Sequence, residues 1–186
     1  MKIAALVALL SIFTGFLFQS DPYLSEGEKL VNITLSETAK IIKSKYKIQP
    51  SGLGAAMPGG PIQELTLCFT IKGPFSKERL RKLLVECAQE VVNHVNANAQ
   101  IQQFLAKPPF TVKNVQIIIY NHDKNGRQTN DPEIATAEIS RGVLAYSTND
   151  PNDRYRYKSE IDETYEEALK ILSIETSSNT IQMKTY

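Results

Sequence analysis

The sequence is poor in the residues that hold metals and carry redox chemistry. It has only two cysteines, Cys68 and Cys87, and two histidines, His94 and His122, among 186 residues. These are too few for a zinc site, since neither spacing matches a known finger pattern. They are also too few for a disulfide framework, although an oxidising compartment would permit one bridge. We therefore expect no metal and no cofactor.

The chain also lacks an excess of charge of either sign. Its 21 Lys and Arg residues face 20 Asp and Glu residues, and removing Lys2, which precedes the apolar N-terminal run, leaves 20 against 20. A nucleic-acid-binding domain carries a basic patch, and a protein held on anionic lipid carries a polybasic segment. Composition therefore argues against a nucleic-acid partner and against electrostatic attachment to a membrane.

Known catalytic motifs are missing as well. The sequence contains neither G-x-S-x-G nor H-E-x-x-H, so we name no catalytic residue. One alternative is a small envelope enzyme that uses His122 and Asp123 in a cleft. Another is a cation-stabilised module, because oxygen side chains alternate from Asn121 to Asn125 before Gly126, as in the first half of a calcium loop. Turn chemistry explains the same residues without a ligand.

The strongest positive signal is an uncharged, apolar run over residues 3–18 that follows Lys2. This pattern is typical of a secretory signal peptide. The run is also close to the shortest helix that spans a bilayer, about 17 residues. The small residues that mark a cleavage site are poorly placed, because Phe18 stands two positions before Ser20. Residues 1–20 are therefore either a signal peptide or a retained membrane anchor, with a core helix of a cytosolic protein as the remaining alternative. We expect the rest of the chain to be exported and to lie on the periplasmic or extracellular side.

Hydrophobic periodicity predicts a single α+β domain over residues 21–172. An N-terminal amphipathic helix ends at Lys47, and a β-α-β-β-α core with a small, mostly antiparallel sheet and packed helices follows. The predicted core elements, in chain order, are a strand over residues 65–71, a helix capped by Ser76, strands over residues 115–120 and 134–148, and a final helix capped by Ser159.

Three segments lie outside this regular pattern. Residues 50–61 hold four glycines and three prolines, which excludes a helix or a central strand and predicts a long loop. Gly142 predicts a bulge or bend within the third strand, and a tight hairpin at Arg141 and Gly142 is the alternative. Residues 173–186 are rich in Ser and Thr and predict a loosely ordered tail.

The two cysteines are predicted to lie apart. Strand alternation places Cys68 on the face opposite Leu67 and Phe69, whereas Cys87 falls on the apolar stripe of a helix. If those apolar strand residues face that helix, the sheet separates the two thiols.

Two segments are candidates for a binding surface. Leu53 and Met57 are apolar residues in the glycine-rich segment, where they either fold onto the domain or meet a partner. The second candidate is a run of the residue types that anchor interfaces, namely Arg154, Tyr155, Arg156 and Tyr157. Its alternation puts both tyrosines on one face of a short edge strand, and packing of those tyrosines beneath the final helix is the alternative. The sequence therefore predicts an exported or membrane-anchored domain that binds a protein or ligand and meets the membrane through residues 1–20 if they are uncleaved.

Overall fold

The computed structural model describes residues 25–183, with the side chains of that span except those of Arg154 and residues 176–183. Within it, helices and strands of comparable extent make an α+β fold, the class that the periodicity predicts. The helices are α1 (Glu26–Tyr46), α2 (Lys77–Ala97) and α3 (Tyr165–Met183). The strands are β1 (Gln49–Ala56), β2 (Glu64–Lys72), β3 (Val115–His122), β4 (Thr136–Ser140), β5 (Val143–Asp150) and β6 (Asp153–Thr164).

The six strands form one sheet in the order β1-β2-β3-β4-β5-β6. Neighbouring strands run antiparallel except β2 and β3, which are parallel. Parallel neighbours need a long crossover connection, and α2 lies in the segment that makes it. Because the order in the sheet follows the order in the chain, β1 and β6 are its two edges.

A side-chain cap lies at the start of each of the helices α1, α2 and α3. Helix α2 begins after the predicted cap Ser76, whose Oγ accepts the Arg79 N–H at 3.3 Å. At the start of α1, the Glu28 N–H donates to Ser25 Oγ at 3.3 Å and the Ser25 N–H donates to Glu28 Oε2 at 2.7 Å. At the start of α3, the Glu167 N–H donates to Thr164 Oγ1 at 3.2 Å and the Thr164 N–H donates to Glu167 Oε2 at 2.8 Å. Such caps satisfy backbone donors that have no partner inside the helix. The last helix therefore begins after Thr164, and the predicted cap Ser159 lies in β6 instead.

The core lies between the helices and one face of the sheet. Leu65, Leu67 and Phe69 of β2 are completely buried, and they alternate with the half-exposed Thr66 and Cys68. Burying a side chain of this size contributes about 1.5–3 kcal/mol. The helices supply the other side of the same cluster, with Leu35, Ile42, Leu84, Cys87, Val91 and Ala168 among its members.

The opposite face of the sheet carries no helix within residues 25–183. Cys68 pairs in register with Ile118, and Ile118 pairs with Glu138, so these side chains form one row across that face. Antiparallel strands commonly leave one face to water. Cys87 is buried among the helix-side core residues, and both cysteines are free. The prediction that the sheet separates the two thiols is confirmed.

The apolar run over residues 3–18 lies outside the described residues, so its assignment as a signal peptide or anchor stays a prediction. Between residues 25 and 183, no helix combines the length and apolar character needed to cross a bilayer.

The segment predicted as a long loop, residues 50–61, contains most of strand β1 instead. Gly52 pairs with Cys68 and Gly54 with Thr66, and the register shifts between Pro50 and Gly52. Proline is tolerated because β1 is an edge strand, where a missing backbone donor costs no ladder hydrogen bond on the outer side. The composition excluded a central strand correctly, but the prediction of a loop was wrong for residues 50–56, which lie in an edge strand.

The predicted β-α-β-β-α core also needs correction. The strand predicted over residues 134–148 is two strands, β4 and β5, because Arg141 and Gly142 adopt φ values of 51° and 81° and make the tight hairpin. Strand β6 extends to Thr164 through pairing with β5. Helix α3 continues to Met183, so residues 173–183 of the predicted loose tail are helical.

Candidate binding surfaces

The structure places the two predicted binding segments at opposite edges of the sheet. Leu53 lies in β1, and Met57 follows that strand and packs partly buried against the core. Residues 154–157 lie in β6. Four strands separate β1 from β6, so the two segments form separate surfaces and are considered one at a time.

Strand β1 is an uncharged edge. Residues 48–63 contain no Asp, Glu, Lys, Arg or His, and within residues 25–183 β1 pairs with β2 alone. The outer backbone groups of an edge strand are open to pairing with another chain. Leu53 pairs with Leu67 and therefore projects from the helix-bearing face, where 48% of its surface is exposed. The edge thus offers both backbone donors and acceptors and an apolar contact.

A basic groove lies at the start of β1. It has a volume of about 350 Å³, and Lys40, Lys43 and Lys47 line it together with Gln49. None of these three lysines forms an ion pair in the part of the chain that the structure describes, whereas Lys45 is bonded to a glutamate of α2. Cations at this position complement the carbonyl end of helix α1. They also give the groove a positive charge that a negative group can approach.

Strand β6 carries the aromatic and basic candidates, but its pairing is irregular. The register between β5 and β6 shifts on both sides of Asn149, which pairs with Tyr157, and residues 154–156 lie outside the regular ladder. Pairing with β5 therefore does not fix the faces of residues 154–157, and the separation of tyrosines from arginines stays a prediction. Tyr155 is 84% exposed and Tyr157 52% exposed, so neither is packed beneath the final helix.

The remainder of β6 is protected from edge pairing by charge. Glu160 and Asp162 are exposed along it, and Lys158 donates to Asp131 Oδ2 at 2.6 Å. Charged side chains and bulges are the usual means by which proteins keep an edge strand from pairing with other chains. The two edges of this sheet therefore differ, because β6 has both devices and β1 has only the irregularity near Pro50.

The uncovered face of the sheet has a half-buried acidic centre. Burial raises the pKa of Glu138, and the negative charges of Glu160 and Asp162 raise it further. Burial likewise raises the pKa of Tyr120, with Cys68 and Glu138 among the neighbours that add to the shift. Within the described residues no Lys or Arg forms an ion pair with any of these three carboxylates.

His122 and Cys68 are not brought together. Cys68 pairs in register with Ile118, four residues before His122 on the same strand. At about 3.3 Å per residue, their backbones are roughly 13 Å apart. Burial raises the pKa of the Cys68 thiol, which disfavours the thiolate that a nucleophile needs. This geometry excludes a direct contact between Cys68 and His122, and the enzyme alternative that uses His122 and Asp123 stays a prediction.

Asn121 and Asp123 of the predicted cation loop form hydrogen bonds with protein groups, but Asn121 Oδ1 is buried without a hydrogen-bond partner among the described residues. Asn121 is 1% exposed, and its side-chain NH₂ donates to the carbonyl of Ile134 at 3.1 Å. Asp123 Oδ1 accepts the backbone N–H of Arg127 at 2.9 Å and that of Asn125 at 2.8 Å, and the bond from Arg127 is the main reason its pKa is lowered. Across residues 25–183, no three His, Cys, Asp or Glu side chains are grouped to hold a metal ion.

Sequence reasoning missed a buried ion pair between α2 and β6. Arg81 Nε donates to Glu163 Oε1 at 2.8 Å and Arg81 Nη2 donates to Oε2 at 3.0 Å, while Tyr146 Oη donates to Oε1 at 2.5 Å. The two charged side chains are 7% and 8% exposed. Burial opposes ionisation of Glu163, but the bonds from Arg81 and Tyr146 outweigh it and lower its pKa. A charged residue beside the apolar stripe of α2, next to Leu80, is the available sequence signal.

No protein-family model, curated protein or solved structure matches this chain. Its function is therefore inferred from the surfaces described above. Among them, the β1 edge combines outer backbone groups that pair with no other strand of residues 25–183, an exposed apolar side chain and an adjacent charged groove.

Proposed function

We propose that this is an exported or membrane-anchored domain that binds a protein partner, and that the partner adds an extended strand to the free edge of β1. The observation that carries the proposal is the contrast between the two edges of the sheet. The uncharged edge of β1 is open along Gly52 to Ala56, whereas β6 combines bulges with charged side chains. Selection against unwanted pairing explains β6 and leaves β1 as the edge that accepts a strand.

Export rests on the apolar run over residues 3–18 and its basic start. N-terminal sequencing of the mature protein, combined with membrane fractionation, tests this part. A new N-terminus near residue 20 in a released protein indicates a signal peptide, and an intact N-terminus in the membrane fraction indicates an anchor. An intact protein in the cytosolic fraction would refute export, but it would leave the proposal of strand addition at β1 unaffected.

Strand addition gains affinity from main-chain hydrogen bonds and specificity from alternate side chains. Gly52 and Gly54 put no side chains on the uncovered face of β1, so a partner strand meets little steric bulk there. On the other face, Leu53 and the half-buried Met57 offer apolar contact. Each backbone hydrogen bond contributes only about 0.5–1.5 kcal/mol net, so side-chain recognition has to supply the selectivity.

The groove at the start of β1 indicates that the partner segment is acidic. Lys40, Lys43 and Lys47 line it, and no carboxylate is among its lining residues. Opposite charge across an interface fixes the register of binding and excludes partners of like charge. We therefore take the occupant to be an extended segment in which negative side chains alternate with apolar ones.

Two fluorescent ten-residue peptides test the proposal, one alternating Glu with Val and the other alternating Lys with Val. Fluorescence anisotropy measures affinity, and amide hydrogen exchange shows which strand is protected. We expect the acidic peptide to bind more tightly, to protect the β1 amides and to lose affinity as salt rises. Leu53→Glu, which places a negative charge on the edge, is expected to weaken binding of the acidic peptide at least about tenfold.

Leu169→Glu is the matched control, because Leu169 has similar exposure (43%) but lies on α3. It should leave affinity unchanged. Equal binding by the two peptides would reject the acidic partner alone. Protection of β6 rather than β1, or full binding of the acidic peptide by the Leu53→Glu variant, would reject strand addition at β1.

A further inference from the structure

A cleft of about 560 Å³ lies at the end of the sheet where β2 and β3 begin. Four separate parts of the chain line it: the end of β1 at Ala56, the start of β2, the connection between α2 and β3, and the turn between β4 and β5. This volume is within the range of small-molecule sites, about 300–1,000 Å³. The cleft meets the β1 edge at Ala56, but the inference drawn from its charged residues does not rest on the function proposed above.

Positive charge dominates the cleft. Lys107, Lys113 and Arg141 line it against a single carboxylate, Glu64. Because the 20 Lys and Arg residues that follow Lys2 are balanced by 20 Asp and Glu residues, three cations around one concave site are a local excess. Concave sites lined by one sign of charge raise the local concentration of ligands of the opposite sign.

Arg141 is held there in an unfavourable backbone conformation. Ser140 pairs with Val143, so Arg141 and Gly142 form a two-residue turn, with φ values of 51° and 81°. Such turns favour Asn or Asp before Gly, since those residues tolerate the left-handed conformation. Arginine has no such advantage, and local strain of this kind gathers at functional sites. The turn geometry therefore favours Asn or Asp at position 141, whereas the residue there is the arginine that lines the cleft.

The surrounding hydrogen bonds and packing hold the cationic residues in place. Asn114 Nδ2 donates to the carbonyl of Gln63 at 3.0 Å, and Asn114 Oδ1 accepts the Thr111 N–H at 3.0 Å. These bonds hold the short helix that carries Lys113. A Cβ atom added to Gly142 would lie 3.6 Å from Lys113 Cγ, so the stem of Lys113 rests against the turn that presents Arg141.

We propose that this cleft binds a phosphate-type anion, with Arg141 as a bidentate donor and Lys107 and Lys113 as supporting point charges. Arginine matches the geometry of phosphate oxygens through two parallel N–H donors, whereas lysine acts as a compact charge. The phosphate group can belong to a soluble phosphorylated compound or to a lipid headgroup.

The test uses Arg141→Asn, which supplies the residue that the turn favours. Isothermal titration with glycerol 3-phosphate and co-sedimentation with phosphatidylcholine vesicles containing phosphatidic acid distinguish the two sources. We expect the wild-type protein to bind in at least one arm. Arg141→Asn should weaken that binding at least about tenfold while raising the Tm by about 2 °C. A variant that binds the phosphate more weakly but unfolds at a higher temperature shows that Arg141 serves ligand binding, because loss of a structural residue would lower the Tm.

Arg127→Asn is the matched control, because it removes one exposed arginine from a different turn. It should leave binding unchanged, and Lys113→Gln should weaken it. Absence of binding in both arms would overturn the proposal. So would unchanged binding by Arg141→Asn, or equal losses with Arg127→Asn, which would indicate nonspecific attraction.

Discussion

Replacing Arg81 by methionine tests how α2 is held against the sheet. The substitution keeps an unbranched side chain of similar length but leaves the Glu163 carboxylate, 8% exposed, without its cation. Of the side chains that the structure describes, only the Tyr146 hydroxyl still donates to this carboxylate. Removing one partner of a buried ion pair costs about 3–5 kcal/mol, because the remaining charge stays out of water. Since domains of this kind are stable by about 5–15 kcal/mol, Arg81→Met should remove a large part of the free energy of unfolding.

The double variant Arg81→Met/Glu163→Gln distinguishes the loss of the ion pair from the cost of leaving the Glu163 charge buried without its partner. The amide removes the buried negative charge and keeps an oxygen that can accept from Tyr146. Neutral replacements of buried ion pairs are often close to the stability of the original pair. We therefore expect the double variant to be more stable than Arg81→Met, with a coupling energy of at least about 2 kcal/mol.

Urea unfolding followed by circular dichroism, at pH 7 and again in acid, measures these differences. Folding lowers the pKa of Glu163, so the pair's contribution is fully present above the unfolded carboxyl value of about 4.3. It is lost as the pH falls through the lowered pKa of the folded state. The difference in free energy of unfolding between the wild type and Arg81→Met should therefore become smaller in acid. The reasoning would be refuted if Arg81→Met lowered the free energy of unfolding by less than about 1 kcal/mol at pH 7. It would also be refuted if the losses measured for Arg81→Met and Glu163→Gln alone added up to the loss of the double variant.

Two further predictions concern the uncovered face of the sheet. Glu138→Gln should raise the urea midpoint at pH 7, because folding raises the pKa of Glu138. The protonated carboxyl favours folding fully below its unfolded pKa of about 4.3, and this stabilisation is lost as the pH rises through the raised pKa of the folded state. The gain should disappear in acid, and exposed Glu133→Gln, the control, should show none. Cys68 should react with a chromogenic disulfide reagent in the native protein and Cys87 only in urea, since Cys87 is completely buried; equal native rates would contradict the assigned faces.

Local pattern was sufficient where burial repeats at short range. The alternation of Leu65, Leu67 and Phe69 predicts which face of β2 is buried, and the helical spacing of Leu84 and Cys87 predicts the buried stripe of α2. Each pattern indicates that one face of its element is hydrophobic, and the spacing of nearby residues is enough to identify that face. They were enough to predict an α+β fold and the separation of the thiols.

Pairing between distant segments decided the rest. Ser159 is an acceptable helix cap on its own, but it pairs with Thr148 in the sheet and the helix begins after Thr164 instead. The partner of Arg81 stands 82 residues away, so no local pattern could indicate the ion pair. Tyr157 also depends on a distant partner, because it pairs with Asn149, where the register shifts in a way that the local sequence does not indicate.

The two edges of the sheet show why position must be known before function is argued. Glycine and proline in β1 disfavour a strand by propensity, yet an edge tolerates them because its outer backbone groups need no neighbour. The same residues remove charge and bulk from that edge, which makes it receptive to an added strand. In β6, charge and bulges have the reverse effect, so the exposed tyrosines there do not mark an edge that is open to pairing. The segment that local propensity assigns to a loop therefore becomes the better candidate for recognition, and the segment richest in interface residue types becomes the weaker one.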